Sequence, residues 1–121
     1  MLSALAAVCG CDASPLSESA AAPPLPPLSR VTFALRRTVA RGAWIGWHYD
    51  TAGATAQVPL SGGGDTVGGQ LVFALPTGAL LAPPRVAGGL VAHHGDVPHG
   101  VTRLKRGVRY GLYALLPRGG V

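Results

Sequence analysis

The sharpest chemical feature of this 121-residue chain is His48-Tyr49-Asp50. In an extended strand, residues i and i+2 share a face, so one imidazole and one carboxylate converge on one point. They rise from an aromatic and β-branched stretch, residues 44–49 (WIGWHY). A metal would need a third ligand from a neighbouring strand. The candidates are His93, His94 and His99, in HHGDVPH. Two histidines and one carboxylate bound on one face leave open positions on iron, the arrangement of non-haem Fe(II) oxygenases. An isolated H-x-D motif equally describes a structural hydrogen-bonded pair, so the spacing alone leaves both readings open.

Arg109 is the second feature, in G-V-R-Y-G-L-Y. An Arg inside an apolar strand is costly unless it meets an anion. Its planar guanidinium suits bidentate capture of a carboxylate. Val108, Tyr110 and Leu112 fall on one face of such a strand, and Arg109, Gly111 and Tyr113 on the other. If the second face lines a pocket, Arg109 is buried and requires a guest, with Gly111 leaving room beside it. The alternative is an outward-facing Arg at a strand end.

Short strands must position these groups. The 18 Gly and 11 Pro argue for many turns and few long helices. Period-two patterns fall at residues 33–39, 44–49, 54–60, 69–75, 90–94, 97–102 and 108–116. Pro59 should lie at an edge or strand end. Residues 103–107 (RLKRG) read as a polar hairpin turn. Seven to eight short strands with regular turn signals predict an all-β sandwich, barrel or jelly roll. The expected organisation is a Pro/Ala-rich, disordered or leader-like extension over residues 1–30 and a β core over 31–121. A cytoplasmic location is expected, with a cleaved N-terminal signal as the alternative.

Composition narrows the function. Hydrophobic residues make up 48% of the chain, enough for a core, yet Gly, Pro and Arg interrupt every run long enough to span a bilayer. Only five acids are present, so paired-carboxylate hydrolysis has little to draw on. Cys9 and Cys11 form a lone C-G-C, short of a structural zinc set or a disulfide framework. The net charge of +5 raises the prospect of a polyanion partner, through Arg36, Arg37 and Arg41 or Arg103, Lys105 and Arg106. No aromatic stacking platform accompanies them, and solvated strand edges are the simpler reading, so nucleic acid is not the expected partner.

WHYDTAG, GGQLVFA and HHGDVPHGVTRLKRGVRYGLYAL, taken in order, resemble the catalytic core of Fe(II)/2-oxoglutarate-dependent dioxygenases of the prolyl 4-hydroxylase-like group. That family carries H-x-D, a distal His some fifty residues later, and an Arg or Lys nine or ten residues beyond. Here His99 follows Asp50 by 49 positions, and Arg109 follows His99 by 10. The match covers roughly residues 33–116. It implies a double-stranded β-helix, the cupin-like jelly roll. It also implies an oxidoreductase that hydroxylates a peptide or small molecule, peptidyl proline among them, with release of succinate and CO2.

Residue by residue, the resemblance makes His48, Asp50 and His99 the Fe(II) ligands and Arg109 the holder of the distal carboxylate of 2-oxoglutarate. Ascorbate is compatible as an accompanying reductant. His93 and His94 match no ligand position. The family often has a Tyr about ten residues before H-x-D and another on the next strand. This chain has Arg37-Thr38 and Gln57-Val58-Pro59 there. Gln57 is the candidate to replace a lost hydrogen bond to 2-oxoglutarate, against the reading of an outward surface amide. Helices that normally buttress the sheet are missing, so the rival expectation is a non-catalytic jelly-roll binding module or truncated relative.

Overall fold

The computed structural model describes residues 25–119. Most of the expected 1–30 extension, with Cys9 and Cys11, lies outside the described residues. Ten strands follow in order: β1 (Thr32–Val39), β2 (Ile45–His48), β3 (Ala54–Pro59), β4 (Val67–Gly68), β5 (Leu71–Ala74), β6 (Leu80–Leu81), β7 (Val91–His94), β8 (His99–Val101), β9 (Leu104–Arg106) and β10 (Val108–Leu116). The only helical segments among the described residues are two 3₁₀ turns, Leu28–Arg30 and Gly63–Asp65. No helix among them is long and apolar enough to cross a membrane.

The strands form two four-stranded sheets, ordered β1-β10-β3-β7 and β2-β8-β5-β6, plus the small pair β4-β9. Every ladder is antiparallel. Apart from the β5–β6 hairpin, the strands of the two larger sheets alternate along the chain, and the sheets meet where Phe73 of β5 packs edge-on against His93 of β7, ring centroids 5.0 Å apart. This is the all-β jelly-roll architecture expected from the strand pattern. β10 matches its expected bounds and is central, pairing with β1 on one side and β3 on the other. Pro59 ends β3, where its missing N–H interrupts no ladder.

Residues 103–107 differ from expectation. Their polarity predicts a turn, but Leu104–Arg106 forms β9 against β4. The cause is Leu104, one of two fully buried apolar side chains among the described residues, while Lys105 and Arg106 stay exposed. A single inward residue between charges is too short a pattern to show period two. β4 and β6, each two residues long, are below that limit as well.

Candidate metal centre and anion pocket

His48 and His99 are cross-strand partners on β2 and β8, just past an irregularity in the ladder. Their rings lie 4.3 Å apart, centroid to centroid. Asp50 lies two residues past the end of β2, and its backbone N–H donates to Gly95 O on the turn after β7 (3.0 Å). These anchors bring His48 Nε2 to 3.6 Å and His99 Nε2 to 3.5 Å from Asp50 Oδ1. One donor atom from each of the three residues lies within 4.8 Å of the other two, a set able to hold a metal ion.

The hydrogen bonds fix which nitrogen faces the centre. His48 Nδ1 lies 2.8 Å from Gly46 O, and His99 Nδ1 lies 2.9 Å from Val97 O. A carbonyl only accepts, so each Nδ1 carries the proton and each Nε2 presents a lone pair to Asp50. Orientation of ligand histidines through the second ring nitrogen is the usual support of a metal site. Thr55 Oγ1 donates to Asp50 Oδ2 at 2.5 Å, leaving Oδ1 toward the two imidazoles.

The family resemblance gives no ligand position to His93, a candidate on spacing alone, and no sequence motif singles out Thr55. They are cross-strand partners on β7 and β3, and both are buried. His93 Nδ1 donates to His94 O (3.0 Å), and its Nε2 lies 3.8 Å from Asp50 Oδ2. Burial pushes the His93 imidazole below the ordinary histidine range, against the opposing pull of its backbone hydrogen bond. His93 thus packs as a neutral ring between Phe73 and His99. His94 points outward and is exposed. Strand alternation requires one of the pair to face in, but the sequence does not show which. Thr55 was legible in principle, since it shares the inward face of β3 with Gln57.

Arg109 is 8% exposed, on the inward face of β10. Its Nε is buried without a hydrogen-bond partner. Burial lowers its proton affinity, and the nearby charge of Arg85 lowers it further. Room for the side chain comes from Gly69, at φ +67°, where a Cβ would meet Arg109 Cδ at 2.9 Å. Gln57 is buried as well, so it is no surface amide. A cavity of about 170 Å³ runs from His48, Asp50 and His99 to Gln57 and Arg109. Trp44, Arg36 and Tyr113 also line it, and the Arg36 guanidinium stacks over the Tyr113 ring at 5.0 Å. Arg37, Arg41, Arg103, Lys105 and Arg106 are exposed, as solvated edges would be.

No protein-family model matches the chain, and no curated protein matches it in sequence. Solved structures do. The chain is similar to a prolyl-4-hydroxylase from Pseudomonas putida, at 31% identity and TM-score 0.58, covering 74% of this chain and 51% of that one. It is also similar to an oxidoreductase of the 2OG-Fe(II) oxygenase family from Burkholderia pseudomallei, at 16% identity and TM-score 0.62 over 73% of this chain and 42% of that one. A cupin domain from Bordetella pertussis shares the fold at 20% identity and TM-score 0.50, over 71% of this chain and 80% of that one. The chain therefore spans about half the length of the two oxygenase structures. Its fold is theirs, and its His-Asp-His cluster could hold a metal ion.

Proposed function

We propose that the chain is the catalytic core of an Fe(II)- and 2-oxoglutarate-dependent dioxygenase that hydroxylates a peptide or small-molecule substrate. One observation carries the reading. A His-Asp-His donor set and a buried Arg lacking an anion line the same cavity. Bound together, Fe(II) and 2-oxoglutarate supply oxygen activation, with succinate, CO2 and a hydroxylated product as the outcome.

The chain's own residues do the positioning. His48, Asp50 and His99 would hold the metal, and Thr55 keeps Asp50 turned toward it. Asp50 is the one anion of the set and favours a hard divalent cation over two imidazoles alone. Arg109 would grip the distal carboxylate, with the buried Gln57 amide as a further donor in the same cavity. Leu71, Val101 and Leu115 line the remainder and limit water around these groups. Trp44, exposed at one side of the cavity, offers a flat apolar face, which supports a peptidyl-proline ring as one substrate class.

The test is succinate formation from 2-oxoglutarate by the purified chain, with and without Fe(II). Iron-dependent succinate release is expected. A chain that melts cooperatively, binds no iron and releases no succinate would overturn the proposal.

A further inference from the structure

The crossover between β6 and β7 carries a second arginine that the family pattern does not assign. Arg85 follows Pro83-Pro84, and its guanidinium reaches back across β10. Its Nη2 donates to Tyr110 O at 2.7 Å and to Ser61 Oγ at 3.3 Å. Ser61 Oγ in turn accepts from Tyr110 N–H at 3.0 Å. These bonds pin Arg85 beside the residue that follows Arg109. Together with Gln57 and Leu71, the two arginines line both the metal-side cavity and a neighbouring one of about 240 Å³. They form part of the wall that the cavities share.

Both side chains have unmet demands. Arg85 Nε and Arg109 Nε are buried with no hydrogen-bond partner. Neither guanidinium forms an ion pair among the described residues, where Asp50 approaches three histidines and Asp96 pairs with Arg118. Two like charges facing one pocket raise each other's cost, and an anion between them removes it. Arg36 differs, since it has the Tyr113 ring.

We infer that Arg85 is a second anion-binding residue, gripping with Arg109 the distal carboxylate of the 2-oxo acid. This rests on the proposed use of 2-oxoglutarate. Arg85 supplies a second cationic donor in the wall of this pocket and makes it select a dicarboxylate over a 2-oxo monocarboxylate.

The test uses calorimetric titration of the Mn(II)-loaded chain with 2-oxoglutarate and with 2-oxopentanoate, which has the same carbon count and no distal carboxylate. Arg85→Met is expected to weaken 2-oxoglutarate about 10- to 100-fold, the usual range for a lost charge-assisted hydrogen bond. It should leave 2-oxopentanoate and Mn(II) affinity unchanged. Equal 2-oxoglutarate affinity in wild type and Arg85→Met, with loss in Arg109→Met, would reduce Arg85 to a loop latch and overturn the inference alone. Wild type that binds Mn(II) but no 2-oxoglutarate would overturn the underlying reading and this inference with it. Should Arg85→Met fail to bind Mn(II), Arg85→Lys replaces it. A several-fold loss for 2-oxoglutarate only is then expected, and no loss overturns the inference.

Discussion

On its inner face the sheet β1-β10-β3-β7 presents Thr55, Gln57, His93 and Arg109, all buried. On its outer face the same strands present Phe33, Leu35 and Leu112, which are 57%, 71% and 38% exposed. The two faces interlock in register, Leu35 opposite Leu112 and Gln57 opposite Tyr113. An antiparallel sheet with one solvated face ordinarily turns its apolar residues inward and its polar residues out. Here the order is reversed over the middle of the sheet. Burying polar groups is unfavourable unless they are bonded or paired. The inner face is therefore polar where the candidate site lies, and the apolar packing falls to a few side chains such as Phe73 and Leu104.

That contrast is open to direct attack, most forcefully at Asp50. Asp50→Ala is expected to abolish iron-dependent succinate release, because it removes the only anion between His48 and His99. The fold should lose much less, since Asp50 is partly exposed and clusters ligands rather than apolar groups. Parallel measurements of succinate release and thermal melting check this. Normal melting with retained turnover would exclude the triad.

The apolar anchor should respond the other way. Phe73 is fully buried and contacts both His93 and His99. Phe73→Ala is expected to cost about 3–5 kcal/mol, the usual range for truncating a buried aromatic. In a domain with so few buried apolar side chains this is a large share of total stability. Denaturant unfolding measures it. A loss below about 1 kcal/mol would mean that the inner-face polar network, rather than Phe73, holds the sheets together.

Arg109 separates folding from binding. Arg109→Leu exchanges a buried unpaired charge for an apolar side chain, a change that often leaves stability equal or improved. The ligand-free variant should melt at or above the wild-type temperature. Adding 2-oxoglutarate with Mn(II) should raise the wild-type midpoint through mass action, and the variant's much less. A variant that melts far lower without ligand would show that Arg109 has a structural partner.

Much of this was legible in the sequence. Period two located β1, β3, β7 and β10 nearly to the residue, because each has several alternating side chains. The alternation also put Arg109 and Gly111 on one face of β10, but left open whether that face is the buried one, which the structure shows it to be. H-x-D was legible as a His-Asp pair, although β2 ends at His48 and Asp50 is placed by its bond to Gly95 rather than by strand alternation, and the family pattern selected His99 from three candidates. Three things were not legible. β4, β6 and β9 are too short for a period. His93 and His94 are adjacent and identical, so only register, with His93 opposite Thr55, shows which faces inward. Arg85 sits in an irregular crossover, where position follows from Pro83-Pro84 and from bonds to Ser61 and Tyr110 rather than from any repeat.

The smallest expected effect tests the outer face. Leu35 is the most exposed of its three apolar residues and lies in the middle of an edge strand. Thr introduces the β-branched shape that strands favour and a hydroxyl that water can satisfy. Little apolar area is lost from the interior, so Leu35→Thr should change unfolding free energy by no more than about 0.5 kcal/mol. Metal and 2-oxoglutarate affinity should be unchanged, because Leu35 faces away from the cavity on the opposite side of β1 from Arg36. Urea titration and Mn(II) binding together check both halves. A destabilisation above about 1.5 kcal/mol would put Leu35 in the range of a buried side chain. The outer face would then be covered in solution, and the reversal of the sheet's two faces would hold only for its inner, polar side.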